Sequence, residues 1–77
     1  MIHIKEKANY FIKMIIALYD AMEWSVSQQG LRKAHTMAAM EYITQQIELA
    51  YKEYLTYTVS EQIQFDSLCK KAFKHIN

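Results

Sequence analysis

MEYITQQIELAYKEYLTY, residues 40–57 of this 77-residue chain, is the stretch that decides the fold. Its apolar residues recur at steps of three and four, which is the period of one face of an α-helix. The members of this stripe are Met40, Ile43, Ile47, Ala50, Tyr54 and Tyr57. Polar side chains such as Glu41, Gln45 and Lys52 fall on the other faces. A helix with one apolar face needs a packing partner that covers it.

The residues before this stretch can supply such a partner. From Ile4 onward, a second apolar stripe follows a 4-3-4-3-4 spacing, which is typical of a helix that packs on another helix. Its members are Ile4, Ala8, Phe11, Ile15, Leu18 and Met22. Ile12 and Ile16 lie outside the stripe and make the middle of this helix apolar almost all round. We therefore expect the helix to be central in the fold or covered by a second subunit.

The first break in the helical pattern is WSVSQQG, residues 24–30. Two serines and a β-branched valine weaken the helix there, and Gly30 can take the left-handed conformation that ends one. Arg32 and Lys33 follow in the first turn of the next helix, where basic charge opposes the helix dipole. One long kinked helix therefore remains an alternative to two separate helices.

The second break in the pattern is marked more clearly. Thr58 precedes an apolar run and is followed three residues later by Glu61, which predicts a capping box. The third helix then has an apolar face of its own. This face consists of Phe65, Leu68, Cys69, Ala72 and Ile76. Together the two breaks predict helices at residues 4–27, 31–56 and 59–75.

The composition favours an all-α fold. Proline is absent and Gly30 is the only glycine, so the residues that short hairpin turns require are nearly missing. We predict a single domain over residues 1–77, a three-helix bundle made of a long antiparallel helical hairpin and a C-terminal helix. A chain of this size is near the lower limit for one core, and its hydrophobic fraction is 52%, so a dimer is expected.

Charge and cysteine content argue against several classes of function. Nine basic and eight acidic residues are interspersed, so no overall field attracts nucleic acid or an anionic membrane. The apolar run from Tyr10 to Leu18 is too short to cross a bilayer. Cys69 is the only cysteine, which excludes a disulfide within the chain and favours a reducing, cytoplasmic setting.

No pattern in the sequence indicates catalysis. None of the three histidines has a second His or Cys at the i+3 or i+4 spacing that builds a metal pair on a helix. Cys69 lies on the apolar face of the third helix, which favours a structural thiol over a reactive one. A glycine-rich phosphate loop and a nucleophile motif are both absent from the sequence. We therefore predict no catalytic residue, no cofactor and no metal, and we do not expect an enzyme.

The tyrosines indicate a different role. No single face of the second helix can bury Tyr42, Tyr51, Tyr54 and Tyr57 together. Tyrosine is enriched in protein interfaces, although the same side chains also cover the rim of a core. With Ile12 and Ile16, they form the predicted protein interface. The sequence thus favours a non-catalytic regulator, adaptor or co-chaperone that binds another protein through a helical face rich in tyrosine and methionine, and that forms a homodimer.

The alternative is a small DNA-binding transcriptional regulator. SVSQQGLRKAH, residues 25–35, is similar to the turn and second helix of a helix-turn-helix. Gln28, Arg32 and Lys33 are the residues available there for contacts in a DNA groove. The nearly neutral net charge of +1 weighs against this interpretation.

Overall fold

The computed structural model describes residues 3–74, which form three α-helices and no strand. Helix α1 spans Ile4–Ser27, α2 spans Leu31–Tyr54 and α3 spans Val59–Phe73. The all-α prediction is confirmed for this part of the chain. The predicted end of the third helix at His75, and Ile76 of its apolar face, lie outside the described residues. Helix α2 ends at Tyr54 rather than at the predicted residue 56 because the backbone turns after it.

Three residues separate α1 from α2. The backbone leaves the helical conformation at Gln28, which is extended with φ −101° and ψ 152°. Gly30 then adopts φ 65° and ψ −137° as the N-cap of α2. Only glycine takes this combination readily, since a Cβ would clash with its own backbone. The two helices are therefore separate, and the alternative of one kinked helix is not observed.

Contacts between α1 and α2 show that they run in opposite directions. Lys7 Nζ lies 2.9 Å from Glu53 Oε1, and Tyr10 OH donates to Gln46 Oε1 at 3.1 Å. At the other end, Thr36 Oγ1 donates to Gln28 Oε1. Early residues of α1 thus meet late residues of α2, and late residues of α1 meet early ones. The resulting hairpin is long and thin, and the molecule measures 46 × 25 × 15 Å.

The turn between α2 and α3 ends in a capping box. The Glu61 N–H donates to Thr58 Oγ1 at 3.2 Å, and the Thr58 N–H donates to Glu61 Oε1 at 2.8 Å. These bonds satisfy two backbone donors that the start of a helix otherwise leaves without partners. The capping box predicted from the sequence is confirmed.

The core lies at one end of the hairpin. Its buried residues are Ile4, Ala8, Tyr57 and Phe65, and the half-buried Phe11, Tyr54, Leu68 and Cys69 pack against them. At about 1.5 Å per residue, the 15 residues of α3 span about 22 Å, whereas the 24 residues of α1 or α2 span about 36 Å. Helix α3 is therefore too short to cover the whole hairpin, and no side chain between residues 9 and 56 is buried.

Candidate protein-binding surface

The half of the hairpin nearest the α1–α2 link exposes many large apolar side chains. We call this the distal surface, and its members are Ile16, Tyr19, Met22, Trp24, Val26, Leu31 and Met37. Trp24, Leu31 and Val26 keep 65%, 78% and 84% of their accessible surface. Only α1 and α2 are present here, and two helices cannot enclose a core between them.

The two isoleucines of the predicted interface both lie on α1, but they differ in exposure. Ile16 is exposed and belongs to the distal surface, whereas Ile12, one turn nearer the core, is half-buried. Tyr19 follows Ile16 by three residues and so continues the same side of the helix. The exposed apolar surface of α1 therefore continues from Ile16 towards the link, and Tyr19 was not among the residues selected from the sequence.

The four tyrosines of the predicted interface divide into two pairs. Tyr42 and Tyr51 are exposed on α2, and Tyr54 is half-buried. Tyr57 is buried because the turn after α2 folds its ring onto the core, with centroids 5.9 Å from Tyr54 and 6.0 Å from Phe65. Tyr57 is thus a core residue with little surface left for a partner. Only Tyr42 and Tyr51 offer most of their rings to solvent.

The charges near the α1–α2 link are acidic in α1 and basic in α2. The last turn of α1 has no basic residue, and Asp20 and Glu23 lie just before it. The first turn of α2 has no acidic residue and instead carries Arg32 and Lys33, both exposed. A basic residue in the first turn of a helix, as Arg32 and Lys33 are in α2, costs about 0.3–1 kcal/mol at low ionic strength. Within residues 3–74 the only ion pair is that of Lys7 and Glu53, so these four charges are not paired in the chain.

The segment considered for DNA binding has a different geometry from a helix-turn-helix. Gln28 is half-buried and accepts a hydrogen bond from Thr36, whereas Arg32 and Lys33 project into solvent. In a helix-turn-helix the two helices cross at about 90–120°. Here α2 runs back along α1, as the contacts at both ends of the hairpin show. The three residues are therefore not presented as on a recognition helix.

A second feature lies at the core end, where α3 meets the hairpin. A pocket of about 260 Å³ is lined by Phe11, Ala50, Tyr51, Tyr54, Phe65, Asp66 and Cys69, and we call it the aromatic pocket. Tyr54 OH donates to both carboxylate oxygens of Asp66, at 2.8 and 3.0 Å. This hydrogen bond, with lesser contributions from desolvation and the Asp66 charge, raises the pKa of Tyr54 above its usual value.

The thiol in the aromatic pocket is not activated. Burial, and secondly the charge of Asp66, raise the pKa of Cys69 above its usual value. A reactive cysteine requires a lowered pKa, because the thiolate is the nucleophile. Sequence reasoning placed Cys69 on an apolar face but missed the pocket. The contact between Tyr54 and Asp66 joins two helices across a turn, and no periodicity within one helix reveals it.

Among residues 3–74, no three His, Cys, Asp or Glu side chains come together in a way that could hold a metal ion. None of the helices described for this part of the chain is both long and apolar enough to span a membrane. Comparisons with protein-family models, with curated proteins and with solved structures found no match to the chain.

Proposed function

We propose that this is a non-catalytic binding protein that presents the distal surface to other proteins, and that its first partner is a second copy of itself. The observation that supports this most is the exposure of Trp24, Val26 and Leu31 on the part of the hairpin that α3 does not cover. We place the protein in the cytoplasm, on the basis of its single unpaired cysteine, Cys69.

The energetic argument for a partner follows from the size of the core. Full burial of one large apolar side chain contributes about 1.5–3 kcal/mol. Only four residues of the described chain are buried, and the distal surface adds nothing comparable to the stability of a single copy. The core of a domain this small supplies about 3–5 kcal/mol in total. Covering even two or three distal side chains would therefore add a contribution of similar size.

The charges beside the distal surface favour a second copy as the occupant. In a twofold symmetric dimer the same patch meets itself, so every attractive contact is made twice. Asp20 and Glu23, which precede the last turn of α1, are opposite in sign to Arg32 and Lys33 at the start of α2. In the dimer that we propose, two hairpins lie side by side with their links together, and the acidic segment of one α1 lies beside the basic start of the other α2. Both pairs of charges are then compensated.

Sedimentation velocity at micromolar concentration tests self-association. We expect the wild-type chain to sediment as a dimer and Tyr19→Glu to shift it towards the monomer, because a carboxylate would enter an apolar interface. Ile63→Glu is the matched control, since Ile63 is similarly exposed but lies on α3, away from the distal surface. A wild-type chain that stays monomeric, or a control that dissociates equally, would contradict the proposal.

The same surface is the one through which we expect a biological target to bind. A regulator, adaptor or co-chaperone would bind its target through residues of the distal surface or through Tyr42 and Tyr51. Affinity capture from the native host with the wild-type chain and with Tyr19→Glu identifies the target class. We expect a specific protein to be retained by the wild-type chain and by Ile63→Glu and lost with Tyr19→Glu. Capture that does not depend on Tyr19 would place the target site elsewhere.

A further inference from the structure

The aromatic pocket at the core end combines aromatic rings with a carboxylate. The ring planes of Phe11 and Phe65 are inclined by 55°, and those of Tyr54 and Phe65 by 56°, so the aromatic lining is not flat. Tyr51 stacks against Tyr54 with centroids 6.2 Å apart and remains exposed. A guest in this pocket would therefore meet aromatic rings on more than one side.

Asp66 brings a carboxylate that forms no ion pair within residues 3–74. Lys7 and Glu53 form the only ion pair within residues 3–74, so Lys70, one turn further along α3, makes none with Asp66. Tyr54 OH contacts the carboxylate, but an ionised carboxylate has about four acceptor positions. Asp66 therefore keeps acceptor capacity for a donor that comes from outside.

We infer that the aromatic pocket binds an arginine side chain of a partner protein. A guanidinium group stacks on aromatic rings and donates in a planar fork to a carboxylate, and this pocket offers both. Its volume of about 260 Å³ falls below the range of about 300–1,000 Å³ that is usual for whole small-molecule ligands, which suits one side chain. The inference rests on the proposed function only in that the arginine belongs to a bound protein.

Titration of the full chain with butylguanidinium, followed by amide chemical shifts, tests the pocket directly. Butylguanidinium represents the arginine side chain, and butylurea has nearly the same shape without the charge. We expect saturable shifts at Tyr51, Asp66 and Cys69, with butylurea binding about fivefold more weakly or not at all, as loss of a cation–π contact and an exposed ion pair implies. Butylammonium should also bind more weakly, because it lacks the planar fork.

Two variants locate the binding. Asp66→Asn keeps an oxygen that can accept from Tyr54 OH but removes the charge, and it should weaken butylguanidinium about three- to fivefold. Tyr51→Ala should weaken it about two- to fivefold. Tyr42→Ala is the matched control, since Tyr42 and Tyr51 are 61% and 56% exposed on the same helix. Of these two tyrosines, only Tyr51 lines the pocket, so Tyr42→Ala should bind butylguanidinium like the wild-type chain.

Several results would overturn the inference: absence of saturable shifts, equal binding of butylurea, or unchanged affinity in Asp66→Asn. Equal binding of butylammonium would overturn the choice of arginine in favour of any organic cation. Sedimentation of Asp66→Asn separates this failure from failure of the proposed function. If the titration fails while Asp66→Asn and the wild-type chain both form dimers, the pocket assignment is wrong and the distal surface is unaffected.

Discussion

Replacement of Phe65 by alanine tests the position of the core. Phe65 is only 6% exposed, and its ring lies 5.1 Å from Tyr54, 5.5 Å from Phe11 and 6.0 Å from Tyr57, measured between centroids. A buried Phe→Ala change costs about 3–5 kcal/mol. Three aromatic neighbours, each contributing about 0.5–1.5 kcal/mol beyond burial, favour the upper part of that range. Since the whole core supplies about 3–5 kcal/mol, Phe65→Ala should leave little folded protein at 25 °C.

Urea denaturation followed by far-ultraviolet circular dichroism measures this loss. All variants must be compared at one protein concentration, because self-association stabilises the folded state by mass action. Ile63→Ala is the matched control on the same helix, since Ile63 is 63% exposed and its truncation should change the unfolding free energy by less than about 0.5 kcal/mol. Similar midpoints for Phe65→Ala and Ile63→Ala would refute the assignment of Phe65 to the core.

Three smaller perturbations test local features of the fold. Thr58→Ala should lower the unfolding free energy by about 1 kcal/mol through loss of the cap, and Ser60→Ala, two residues later, should have little effect in the same urea experiment. Gly30→Ala should cost about 1–3 kcal/mol, because φ 65° with ψ −137° strains any residue with a Cβ although surrounding space is open. Burial, and secondly Glu53, raise the pKa of Tyr57 above its usual value, so the protonated phenol is favoured in the folded state. The stabilisation from the raised pKa of Tyr57 is complete below about pH 10 and is lost as the pH rises through the pKa of Tyr57 in the folded state. Urea midpoints should therefore fall over that pH range, and they should fall less steeply in Tyr57→Phe.

Each of these tests has a result that contradicts it. Equal stability of Thr58→Ala and the wild-type chain would mean that the capping box does not stabilise the start of α3. An unchanged unfolding free energy in Gly30→Ala would mean that residue 30 does not adopt this strained backbone conformation. A Tyr57→Phe chain with the same alkaline loss of stability as the wild type would show that another group titrates.

The helices of this fold could be predicted from the sequence, but the extent of the core could not. Apolar periodicity assigned Ile4, Ala8, Ile15 and Met22 to one stripe of α1, and it treats them alike. In the structure the first two are buried, Ile15 is half-buried and Met22 is exposed. The difference arises because burial requires a third element, and α3 reaches only one end of the hairpin.

The lengths of the predicted helices already contained part of this information. A third helix of residues 59–75 is visibly shorter than a second helix of residues 31–56, so an uncovered region of the hairpin followed from the sequence. The partners of individual side chains did not follow. Tyr57 continued the stripe of α2 in the sequence, yet it lies beyond the end of that helix and packs in the core. Asp66 had no distinguishing pattern, and its role depends on the contact with Tyr54.

The most direct test of the distal surface is an isotope-filtered nuclear Overhauser experiment on a mixture of labelled and unlabelled chains, because it detects only contacts between copies. We predict intermolecular signals to the methyl groups of Ile16, Val26 and Leu31, which lie on the distal surface. Val59 and Ile63, which are comparably exposed on α3, should show none. A filtered spectrum that is empty at micromolar to millimolar concentration, or one with signals only at Val59 and Ile63, would contradict the account.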